Sequence, residues 1–223
     1  KITLFKFNKN DFKKLFKVGI WFFIGSISVL LIEKFDSILT GKLIDTKTIA
    51  VLVISSKLFQ LSKSLLFTVS NNFRPYFSTL IGNQEKERAY DIYKNLRHFS
   101  TILAILFSAT IVFVNELFVS NWVGSDLYGG VVLSLVLGVN LIYNCWKITS
   151  RAYLTSNLII KEQSIIGIIE GLCNVFLSLY LGNLYGLTGI ISGTFLSETH
   201  TTPELSFTSR IPSAVSSRGV SGS

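Results

Sequence analysis

The apolar residues of this chain arrive in blocks of about twenty, divided by short polar links, rather than in the alternating stripes of a soluble amphipathic helix. Crossing ~30 Å of hydrocarbon at ~1.5 Å per residue takes about 20 residues, so each block is long enough to span. The pattern predicts an all-α fold, a polytopic membrane helix bundle. Five full transmembrane helices are expected at about 18–40, 48–70, 99–120, 127–146 and 163–181. A truncated sixth follows the Gly182-Asn183 turn signal, over 184–197.

The flanks differ from this bundle of residues 18–197. Residues 1–17 carry six Lys and one Asp with Leu4, Phe5, Phe7, Phe12, Leu15 and Phe16 interleaved, as an amphipathic lead-in at a membrane surface would. Residues 198–223 hold no Lys, two of the three Pro and seven Ser without periodicity, and are expected to form a disordered, non-native tail. A frameshift near Ser197 would account for the change. The chain opens on Lys1 with neither an initiator Met nor a signal-peptide pattern, so it reads as a fragment of something longer.

Composition agrees with the pattern: 49% hydrophobic, 15% charged, 18 Phe and a mean hydropathy of +0.51. A soluble domain carries about 25% charged residues. The net charge of +8 would suit nucleic acid, but the Lys and Arg gather between the apolar blocks, which argues against a nucleic-acid partner and for a bilayer. Counted on alternate sides, Lys and Arg number six, five and three for the lead-in, second and fourth links, against two, none and none for the others. The positive-inside rule then places the N-terminal end of the chain in the cytoplasm.

Ionisable groups within a bilayer face a bundle interior or a wet cavity, and here they fall in stripes. On the second predicted helix Lys57, Gln60, Lys63 and Arg74 share a ~120° arc at 100° per residue. Glu33 and Asp36 share one on the first, Asn140, Asn144, Lys147 and Arg151 on the fourth, and Gln163, Glu170 and Asn174 on the fifth. The candidate cavity residues are therefore Lys57, Gln60, Lys63, Arg74, Lys147 and Arg151, suited to phosphate or pyrophosphate through charge-assisted hydrogen bonds. Glu33, Asp36 and Glu170 are candidates for coupling or ion pairing.

Plainer readings stand beside these. Arg74, Lys147 and Arg151 either line a cavity or snorkel to headgroups, and Lys57 and Lys63 either line it or pair with Glu33 or Asp36. Arg74-Pro75 marks the end or a kink of the second helix. Cys145 and Cys173 lie in apolar blocks with no CxxC or Cys/His cluster, His98 sits at a membrane boundary, and Trp21, Trp122 and Trp146 fit an aromatic belt. Neither catalytic groups nor a metal or cofactor are expected.

Three stretches carry a family likeness: KVGIWFFIGSISVLLIEKFDSILTG with Asp36, Ile38, Leu39 and Gly41, then the helix ending near Pro75, then the turn at Gly82 with the acidic helical segment reaching Tyr93. Over residues 10–197 the chain resembles the C-terminal half of polysaccharide biosynthesis (O-antigen) flippases of the MATE-like multidrug/oligosaccharidyl-lipid/polysaccharide exporter superfamily. The resemblance implies two six-helix lobes around a central cavity in a bacterial inner membrane. It also implies a missing N-terminal lobe as partner and a lipid-linked (undecaprenyl-pyrophosphate) oligosaccharide as cargo. A drug or cation exporter of the same superfamily is the alternative. A membrane glycan polymerase or ligase would be expected to offer a large external loop, whereas the external links have seven residues or fewer. A structural membrane fragment is the remaining reading.

Overall fold

The structure, a computed structural model, describes residues 9–43 and 46–200. Those residues form an all-α bundle of membrane helices: α1 (Lys9–Leu43), α2 (Thr46–Ser55), α3 (Lys57–Asn72), α4 (Arg74–Gly82), α5 (Lys86–Trp122), α6 (Gly130–Ser156) and α7 (Ile160–His200), with a 3-10 turn at Ser125–Leu127. Three helices are long and apolar enough to cross a membrane: Lys86–Trp122, Gly130–Ser156 and Ile160–Gly186. A fourth crossing is available if the bent pair Lys47–Ser55 and Lys57–Gly82 is one span.

Helix α1 begins at Lys9, inside the stretch expected to be a separate lead-in, and continues without a break. The reason is local: residues 9–18 are mostly helix formers, with neither Pro nor Gly before Gly19 to stop them. Its apolar core is Leu15–Leu30.

The second span bends by 47° at Ser56, a break with no Pro or Gly to announce it. Asn115 Nδ2 donates to the Ser55 carbonyl (2.9 Å) and to Ser134 Oγ (3.1 Å). Ser55 Oγ in turn donates to the Leu127 carbonyl (3.2 Å) and accepts from the Gly129 amide (2.8 Å). A side chain entering the backbone ladder is a recognised cause of such a kink. A second step falls at Phe73, one residue before α4 starts with Pro75 in its first turn, where the missing N–H costs no hydrogen bond.

Helices α5 and α6 pack through small residues. Ala104 is fully buried, and a Cβ on Gly138 would stand 3.3 Å from Val112 Cγ2. Around this contact Phe59, Leu66, Ile111, Leu141 and Cys145 form the main apolar core. At the polar end of α5 an aromatic cluster takes over, with Tyr93 stacked on Tyr153 at 4.6 Å and Phe77 edge-on to Tyr153 at 5.5 Å.

Helix α7 is a hairpin of two arms that reverses at Gly186, whose φ of 62° is left-handed and suits glycine. The turn expected at Gly182-Asn183 is instead helix, and Asn183 Nδ2 donates to the Leu179 carbonyl one turn back (2.9 Å). The arms close so tightly that a Cβ on Gly193 would lie 2.6 Å from the Ser178 amide nitrogen. Ser178 Oγ donates to the Ile190 carbonyl (3.0 Å) and Asn174 Nδ2 to Thr194 Oγ1 (2.8 Å). The second arm, 187–200, is only ~21 Å long at ~1.5 Å per residue, short of a full span.

Candidate functional site

Helix α6 carries its polar stripe on the side away from α5, where both arms of α7 meet it, with α1 packed on α7. Lys147, 4% exposed, forms an ion pair with Glu170 Oε1 and approaches Glu198 Oε1 at 3.4 Å. Arg151 Nη2 donates to the other Glu170 oxygen at 2.8 Å. Asn144 Nδ2 donates to Glu198 Oε2 (3.1 Å) and also reaches Asn140. Two cations and two carboxylates thus meet in one buried quartet of zero net charge, the condition under which buried ions are tolerated.

This quartet borders a cavity of about 320 Å³ enclosed by α1, α3, α4, α6 and α7. Lys63, Arg74, Asn144, Lys147, Arg151, Gln163 and Glu198 line it, with Ser26, Ser28 and Ser164 on the α1 and α7 sides. Two of the donors are incompletely used. Arg74 Nε and Gln163 Nε2 are buried with no hydrogen-bond partner among the described residues. A buried donor left without an acceptor costs about 1–3 kcal/mol, so the cavity favours an acceptor-rich guest.

Four of the six candidate cavity residues therefore share one site: Lys63, Arg74, Lys147 and Arg151. Lys57 and Gln60 do not line it. Both are exposed, and Gln60 Nε2 donates to Ser56 Oγ (2.8 Å). Helical geometry explains the split: Arg74 lies ~20° around the axis from Lys63, whereas Lys57 lies ~120° away at the far edge of the same arc. Lys147 does not snorkel to a headgroup, because its ammonium is enclosed between two carboxylates.

Glu170 lies behind Lys147 and Arg151 as their shared counter-ion and is 2% exposed. Asn174, expected on the same inward stripe, faces the second arm of α7 instead, because the hairpin covers it. The side chains of Glu33 and Asp36 lie outside the described residues.

Glu198 joins the candidate site although composition alone assigns residues 198–223 to a disordered tail. The helix runs on to His200, and the Tyr143 hydroxyl donates to the Glu198 carbonyl at 2.5 Å. A usable signal was present: Glu198 follows Ile190, Ile191 and Thr194 at helical spacing on a buried face. Residues 201–223 lie outside the described residues.

The model of a family described as polysaccharide biosynthesis protein matches residues 2–132, more than half of the chain. No curated protein and no solved structure matches it.

Proposed function

This chain belongs to the polysaccharide biosynthesis protein family, and on that premise we propose that it is part of a flippase that carries lipid-linked oligosaccharide repeat units across a membrane. The carrying observation is the donor-rich cavity, which Lys63, Arg74 and Arg151 line together and where the buried Arg74 Nε and Gln163 Nε2 have no acceptor among the described residues. A pyrophosphate presents many acceptor oxygens and negative charge, and Arg recognises it through a planar fork of N–H groups. Undecaprenyl pyrophosphate combines that headgroup with a tail suited to the bilayer, so it is the cargo we favour over a drug or an organic cation.

The division of labour follows from the pairing. Lys147 is neutralised by Glu170 and Glu198, so it holds α6 to both arms of α7 rather than meeting the cargo first. Lys63 and Arg74, on α3 and α4, are the further cationic side chains that line the cavity. We read the chain as a transporter rather than an enzyme, in a bacterial inner membrane with its N-terminal end in the cytoplasm. A second helical lobe is the partner that completes the cavity.

The test is complementation of a flippase-deficient strain by the full-length gene. Lys63→Ala combined with Arg74→Ala should abolish surface glycan while membrane abundance of the protein is kept. Normal surface glycan from that double variant would overturn the cavity assignment.

A further inference from the structure

A second concavity lies on a neighbouring face of α6, between α5, α6 and the second arm of α7, with Tyr143 between it and the quartet. Its walls are Val139, Ile142, Tyr143, Trp146 and Phe195, with Thr101 the one aliphatic hydroxyl, and it is widely open to the surroundings. In a membrane bundle an open apolar groove faces acyl chains rather than water.

A charge stands beside this groove, against the ring of Trp146. Arg97 is one turn before Thr101 on α5, and its guanidinium carbon lies 5.8 Å from the ring centroid of Trp146, which lines the groove. It also lies 5.2 Å from the ring of Tyr93, to whose hydroxyl Nη1 donates at 3.0 Å. That hydroxyl is in turn hydrogen-bonded with Ser150 Oγ at 3.0 Å, so the arginine is held by α5 and α6 together. A guanidinium has five N–H donors, and Tyr93 is the acceptor that the described residues provide. Arg97 also stands where α5 passes from its charged segment, Lys86–Lys94, to the apolar run from Phe99 onward, the depth at which a lipid headgroup lies.

We propose that this groove is a binding site for an anionic phospholipid of the bilayer, with the phosphate on Arg97 and an acyl chain along Trp146, Tyr143 and Phe195. The cationic fork and the apolar channel leading from it match the two ends of that molecule and exclude a free phosphate or a soluble peptide. Occupancy would reach the transport site through Tyr143. Its ring packs edge-on to Phe195 at 5.7 Å, and its hydroxyl holds the Glu198 carbonyl, so a chain in the groove supports the turn of α7 that presents Glu198 to Lys147. The site stands independently of what the cavity carries.

Native mass spectrometry of the delipidated full chain, offered phosphatidylglycerol, phosphatidylcholine of the same chains or a polyprenyl phosphate, tests this. The wild type should retain phosphatidylglycerol at about tenfold lower concentration than phosphatidylcholine, because the two share the phosphodiester and only the latter brings a choline cation up against Arg97. Arg97→Gln should remove that preference. Val139→Trp, at a position 49% exposed, should lower retention of both phospholipids by filling the groove while leaving the fold intact. Unchanged preference in Arg97→Gln together with unchanged retention in Val139→Trp would show annular lipid only and overturn the site. Displacement of phosphatidylglycerol by equimolar polyprenyl phosphate would overturn the assignment of the occupant.

Discussion

Helix α6 has two interiors, and they are built by opposite rules. Toward α5 it presents Gly138, Leu141 and Cys145, closing on Phe59, Ala104 and Ile111, with uncharged polar groups such as Ser108 and Asn115 set among them. Toward α7 it presents Asn144, Lys147 and Arg151, closing on Glu170 and Glu198. Stability alone does not call for the second interior. A buried ion cluster can be replaced by apolar residues of similar volume at little cost, whereas removing one member leaves an uncompensated charge. The apolar side holds the bundle together, and the ionic side holds charge beside a cavity.

That contrast can be broken most severely at Glu170. Glu170→Leu alone leaves Lys147 and Arg151 short of a counter-ion, and about 3–5 kcal/mol of stability should be lost, read as a fall in unfolding midpoint and membrane abundance. Adding Lys147→Met to it restores charge balance and should recover most of that stability but not glycan export. If Lys147→Met changes stability by the same amount alone as in the Glu170→Leu background, the pair is not coupled.

Next in size is Gly193→Val, which pushes the second arm of α7 off the Ser178 backbone. The overpacking should cost about 1–3 kcal/mol, and export should fall further than stability does because Glu198 moves away from Lys147. On the apolar side, Asn115→Ala removes the ties to Ser55 and Ser134 at the bend of the second span. A loss of about 1–2 kcal/mol is expected, with export reduced only in proportion to abundance. The smallest effect should come from Lys57→Ala. This exposed position off the cavity should change stability by less than about 0.5 kcal/mol and leave glycan export near wild type, in contrast with Lys63.

Much of the architecture is legible along the chain, and the misses are specific. The apolar blocks locate α5, α6 and the first arm of α7, and Pro75 marks the step between α3 and α4. The bend at Ser56 was invisible, because its cause is Asn115, sixty residues away. Gly182-Asn183 looked like a turn and is helix, since a helix in an apolar setting keeps its backbone hydrogen bonds unless a residue such as Gly186 leaves the helical region. The site was partly legible. Spacing put Lys63 with Arg74, and Lys147 with Arg151, on common faces, but it also admitted Lys57 and Gln60, which the cavity leaves out.

By itself the sequence determined that this protein is a helical membrane bundle, because the length and polarity needed to satisfy a backbone in hydrocarbon are properties of each segment alone; against the five full spans expected, three of the described helices have the length and apolarity of a crossing, or four with the bent pair. Its family membership was likewise legible from the order of helices, links and charges. Only the tertiary structure decided which charges are partners. Glu170 and Glu198 meet Lys147 from the two arms of one hairpin, an encounter set by the reversal at Gly186 and the close approach at Gly193. Electrostatic pairing acts over a few ångströms of space, and a distance of that kind between separate helices is not written in any one of them.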